Sequence, residues 1–110
     1  MGALVVAEVW LIYLTQVLFV REGKEELFHQ FEDVAIPLME EYGGRVLYRL
    51  RPDAAAYVSA EEELPYEIHF LSFPSDEQLE AFMSDPRRVE SAHLKDESVR
   101  SALLVQGAAL

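Results

Sequence analysis

The hydrophobic and polar positions of this chain follow two periods in turn. From Ile12 to Val20 the run Ile-Tyr-Leu-Thr-Gln-Val-Leu-Phe-Val is β-branched and aromatic, which predicts a buried strand. Extending it back to Glu8 would make it far longer than the usual five or six residues, so the strand is expected to start near Trp10 or later. After Arg21-Glu22-Gly23 the period changes. Leu27, Phe28, Phe31, Val34, Ala35, Leu38, Met39 and Tyr42 recur mostly at steps of three and four, the signature of one helix face over residues 24–42. Glu25, Glu26, Glu32, Asp33, Glu40 and Glu41 fall mainly outside that stripe. Pro37 falls inside it and removes a backbone hydrogen bond, which predicts a kink or a break. Gly43-Gly44 closes the helix, since glycine takes the left-handed cap conformation cheaply.

A second strand is expected over Arg45–Arg51, and a long exposed connection over Pro52–Pro65 with Glu61-Glu62-Glu63 as a solvated stretch. Tyr66–Phe73 reads as a third strand, ended by Pro74. Ser75-Asp76-Glu77-Gln78 is a capping-box pattern that opens a helix ending near Ser84. Asp85-Pro86 starts a short helical turn, and Ser98–Gln106 is the fourth strand. The order is β-α-β-β-α-β. Two right-handed crossover units of this kind give an α+β, ferredoxin-like domain: a four-stranded antiparallel sheet with helices on one face. The chain is read as a single domain over residues 1–110, with a dispensable N-terminal extension over 1–9 and a core over 10–106.

Alternation then assigns the strand faces. Leu14, Gln16, Leu18 and Val20 oppose Tyr13, Thr15, Val17 and Phe19, and the apolar sets are expected to meet the helices. A mixed face is expected to combine Tyr13, Val17, Phe19, Leu47, Leu71, Phe73 and Leu103 with Arg45, Arg49, Glu67 and His69. Such a face is too apolar for water and too charged for a plain core. It predicts a homodimer formed through the sheet faces, with a polar patch in the interface.

Composition narrows the function classes. The 110 residues carry 20 acidic and nine basic groups, a net charge of −11. This excess argues against nucleic acid and anionic membranes as partners. The absence of cysteine removes disulfides, thiol nucleophiles and cysteine-bound metals. Glu8 interrupts the apolar N-terminus, and the first basic residue is Arg21, so neither a spanning helix nor a signal peptide is indicated and a cytoplasmic location is expected.

Several short stretches together resemble the dimeric α+β-barrel superfamily. They are Tyr13-Leu14-Thr15-Gln16, Gly23-Lys24-Glu25-Glu26, Ile36-Pro37-Leu38, Tyr42-Gly43-Gly44-Arg45, Tyr48-Arg49-Leu50-Arg51-Pro52 and Tyr66-Glu67-Ile68-His69. The nearest likeness is to a bacterial family of unknown function related to the antibiotic-biosynthesis monooxygenase-like proteins. The resemblance spans about Ile12 to Gln106 and implies a homodimer. It also implies a cofactor-independent monooxygenase- or isomerase-like enzyme acting on a small organic molecule, with no cofactor and no metal site to carry over. A non-catalytic small-ligand binder and a structural dimer are the alternatives.

For the enzyme, the expected catalytic residues are His69, Arg49 and Tyr13, with Arg45, Glu67 and Thr15 binding ligand. Histidine exchanges protons near neutrality, and arginine orients carboxylates in bidentate fashion. Arg45 and Arg49 are expected on one face of their strand, opposite Glu67 and His69, with Tyr13 and Thr15 approaching from the first strand. The plainer reading of the arginines and Glu67 is a cross-strand ion pair worth a few tenths to about 1 kcal/mol. His29 and His93 lack metal spacing and read as surface histidines. Phe28, Phe31, Met39, Phe82 and Met83 either line a ligand cavity or simply fill the core. A cavity of about 300 Å³ or more would favour a ligand.

Overall fold

A computed structural model describes residues 11–110, so the expected extension over 1–9 lies outside the described residues. The elements run β1 (Ile12–Val20), α1 (Glu25–Glu41), β2 (Arg45–Leu50), a single 3₁₀ turn (Ala54–Ala56), β3 (Glu67–Phe73), α2 (Asp76–Ser84), α3 (Pro86–Ser98) and β4 (Val99–Ala108). The strands pair antiparallel in the order β2-β3-β1-β4. No helix among the described residues is long and apolar enough to cross a membrane.

Local chemistry explains most of the boundaries. The Ser75 hydroxyl accepts from the Gln78 amide at 3.1 Å and opens α2. Asp85 accepts from the Arg87 amide at 2.8 Å and caps α3, with Pro86 in its first turn. Gly43 ends the turn after α1 at φ +78°, and Gly44 lets the chain pass between Met39 and Phe73. Helix α1 continues through Pro37 without a break. Helix α3 is 13 residues long where only a short turn was expected. Its sequence is largely charged, so its stability comes from packing on α1 and not from a strong apolar period.

The core lies between the sheet and the helices. Leu14, Leu71 and Phe73 from the strands meet Phe31, Ala35, Leu38 and Met39 of α1 and Phe82 of α2. Pairing fixes the strand faces, and here the expectation is corrected. Leu14 stands opposite Leu71, Gln16 opposite His69 and Leu18 opposite Glu67. Directly opposed residues share a face, so Glu67, His69, Leu71 and Phe73 belong to the helix side together with Leu14 and Leu18. The open side carries Tyr13, Val17, Phe19, Tyr48, Leu50, Ile68, Phe70, Leu103 and Val105. The exposed face is therefore the mainly apolar one, and Arg49, Glu67 and His69 of the charged set lie on the helix side.

Candidate functional site

Buried charge is costly unless it is paired, and the helix side of the sheet meets that requirement with residues from three elements. β3 contributes Glu67 and His69, both buried, and α1 contributes Glu32, which is 3% exposed. β2 contributes Arg49 and the next residue contributes Arg51; their guanidinium ends remain partly in water. The Arg49 Nη2 donates to Glu32 Oε1 at 2.8 Å, and its Nε lies 3.4 Å from Glu67 Oε2. The Arg51 Nε and Nη2 donate to Glu67 Oε1 at 3.0 and 2.7 Å. The Nε2 of His69 bonds Glu67 Oε2, and its Nδ1 lies 3.2 Å from Gln16 Oε1.

One atom of this network has no partner. Glu32 Oε2 is buried without a hydrogen bond. It lies 3.1 Å from His69 Nε2, but that nitrogen carries a single hydrogen and gives it to Glu67. The protonation equilibria follow from these contacts. Burial raises Glu32 above the ordinary carboxylate range, and the neighbouring Glu67 adds to this. Burial pushes Glu67 the same way, but hydrogen bonds from His69 and Arg51 outweigh it and hold Glu67 well below that range. Burial would lower His69, yet its bond to Glu67 and the two carboxylates beside it prevail and the imidazole is raised. The two glutamates thus sit side by side with their proton affinities driven apart.

A cavity of about 110 Å³ opens beside this network, between the three helices and the sheet. Gln16, Glu32 and His69 line it, with Phe28, Phe31, Met39 and Leu104 among its apolar walls. It falls short of the 300 Å³ set for a drug-sized ligand and gives room to a molecule on the order of several waters in size.

The structure thus gathers Arg49, Glu67 and His69 and separates them from the rest of the expected set. Tyr13 and Thr15 pair with Ser72 and Phe70 and stand on the open face, where Tyr13 stacks on Phe70 with ring centroids 5.8 Å apart. Arg45, opposite Ser72, is also on that side. A bulge between Val46 and Tyr48 causes this. One extra residue reverses the alternation, so Arg45 and Arg49 lie on opposite faces although they are four residues apart. His29 bonds the Tyr66 hydroxyl at 2.6 Å, and His93 is an exposed helix residue. Glu32, Arg51 and Gln16 were missed. Glu32 had a signal: it continues the stripe Phe28, Glu32, Ala35, Met39, whose other members are all apolar.

Glu32, Glu67 and His69 also place one donor atom each within 4.8 Å of one another, a possible metal-ligating trio. Arg49 and Arg51 already balance the two carboxylates, so a divalent cation would add charge to a neutralised cluster and displace bonds the network uses.

Comparison with solved structures agrees with the topology. A Rhodopseudomonas palustris protein of unknown function superposes with a TM-score of 0.81 at 15% identity, over 93% of this chain and 84% of that one. The fold is the ferredoxin-like α+β fold. A dimeric Bacteroides fragilis protein of unknown function and ferredoxin-like fold matches with a TM-score of 0.64 at 11% identity, over 90% and 96% of the two chains. The hydroxynitrile lyase of Passiflora edulis matches with a TM-score of 0.72 at 10% identity, over 93% and 95%. Members of the DABB and NIPSNAP families share the architecture. No family model and no curated protein sequence matches the chain.

Proposed function

We propose that the protein is a cofactor-independent enzyme of the isomerase type, one that moves a proton within a small organic molecule. The unpartnered, buried Glu32 Oε2 at the cavity wall carries this reading. A carboxylate whose proton affinity is raised by burial is a stronger base than an ordinary glutamate. It takes a proton from a carbon next to a carbonyl, and the carboxylic acid so formed returns the proton to another atom of the same molecule. His69 sits between the two carboxylates, which raise its proton affinity and so help it hold a positive charge beside them. Gln16 holds the other ring nitrogen and fixes the ring. Of the two chemistries that the sequence resemblance implies, proton transfer is the one this set of groups is equipped for.

A second copy of the chain covering the open apolar face belongs to the same reading. That face leaves Tyr48 66% and Leu103 57% exposed, more than a lone domain of this size commonly tolerates in one patch.

Solvent exchange tests the activity. The protein is incubated in D₂O with a panel of small aldehydes, ketones and keto acids, and replacement of C–H by C–D is followed by proton NMR. Exchange on at least one member is expected, falling by roughly 10²–10⁴-fold in Glu32→Gln, the usual contribution of a general base. No exchange across the panel, or equal exchange by Glu32→Gln, would overturn the reading and leave a binding or structural role.

A further inference from the structure

The same cavity has a second polar wall that the proton-transfer network does not use. Arg88 and Lys95 lie seven residues apart on α3, hence on one helix face, and both line the cavity. Neither forms an ion pair with any described carboxylate, although the chain carries 20 acidic groups. The Arg88 guanidinium lies over Phe31 and Phe82, 5.9 and 5.7 Å from the ring centroids. Those rings occupy its face, and its Nε remains buried with no hydrogen-bond partner. Burial lowers both Arg88 and Lys95, the Arg88 charge lowers Lys95 further, and the Asp96 charge offsets part of this in each. Two half-buried cations facing an apolar cavity, with Asp96 acting on them only from beyond ion-pair distance, are what an incoming anion would compensate.

We infer that Arg88 and Lys95 form a carboxylate subsite, so that the molecule this cavity accepts is a small organic monocarboxylate with an apolar body. The carboxylate takes the free edge of the guanidinium and the ammonium of Lys95. The apolar body lies against Phe31 and Met39, which leaves its far end for Glu32. Arg49 and Arg51 cannot serve this purpose, because Glu32 and Glu67 already hold them. The identity of the substrate class rests on the proton-transfer reading, whereas the subsite itself is a matter of binding alone.

Calorimetric titration of the full chain with butyrate and benzoate, against butyramide and benzamide, separates the two. The acids are expected to bind at least tenfold more tightly than the amides. Lys95→Met and Arg88→Gln should each abolish that preference, Arg88→Lys should retain part of it, and Lys24→Met, on the exposed surface, should leave it intact. Equal binding of acids and amides overturns the subsite. So does an unchanged preference in Lys95→Met and Arg88→Gln, or binding of inorganic phosphate as tight as that of benzoate. Acid binding without any C–H exchange supports the subsite and defeats only the enzyme reading. Exchange on neutral carbonyls without acid binding does the reverse.

Discussion

Arg49 and Arg51, 42% and 43% exposed at their side chains, hold two carboxylates that are almost wholly buried. The asymmetry sets the size of what their loss would do. Arg49→Ala leaves Glu32 Oε1 buried without its shortest partner. Breaking a fully buried pair costs about 3–5 kcal/mol, but water screens a half-exposed guanidinium, so about 1–3 kcal/mol is expected here from urea midpoints. His69 gives a pH signature with a definite sign. Its folded proton affinity is raised above the ordinary histidine value of 6.5, so its contribution is complete below about pH 6.5 and is lost as pH rises through the folded value. The stability difference between the wild type and His69→Gln should therefore be largest at pH 5.5–6.5 and shrink on the alkaline side, followed by chemical denaturation across that range. Glu67 acts at the other end. It is held low, so its contribution is present above the ordinary glutamate value and disappears as acid protonates it. The sequence named His69, Arg49 and Glu67, because strand polarity made them conspicuous. It hid Glu32, because a glutamate among many on a helix is ordinarily assigned to water.

At the scale of elements, spans were readable and faces were not. The boundaries of β1, α1 and β3 follow from period and from glycine and proline positions, and the structure places them within a residue or two of those signals. Face assignment needs the register between strands, and both sets of residues in β1 are apolar enough to pass as core. The bulge in β2 leaves no mark in its sequence either, since Leu47 suits a regular strand as well as an irregular one. Helix α3 lacked a period to read because most of its surface faces solvent. The junction of α1 and β2 offers a test. A Cβ at position 44 would collide with the Met39 side chain and lie 2.9 Å from both the Met39 carbonyl and the Phe73 ring. Gly44→Ala should cost about 1–3 kcal/mol, the usual cost of overpacking, and lower the melting temperature by roughly 5–15 °C.

For the whole molecule, the open sheet face decides how folding and association relate. A second copy seated on Tyr48, Leu50, Phe70, Leu103 and their neighbours would bury apolar surface that a single chain leaves in water. The melting temperature should then rise with protein concentration, by mass action, and light scattering at micromolar concentration should give the mass of two chains. A concentration-independent melt together with a single-chain mass would rule this assembly out. Tyr48→Lys, exposed on the edge strand β2 of that face, should weaken association while leaving the cavity residues in place.

The sheet is one layer thick, and its two faces serve different ends. Along β1, Leu14, Gln16 and Leu18 look toward the helices and the cavity, while Tyr13, Thr15, Val17 and Phe19 look away. A comprehensive substitution map of this strand should accordingly show two interleaved phenotypes. Ligand affinity should respond at one set of positions and oligomeric state at the next, switching at every residue. Neither property can be tuned by transplanting the strand as a block, but each can be engineered alone by writing to every second letter.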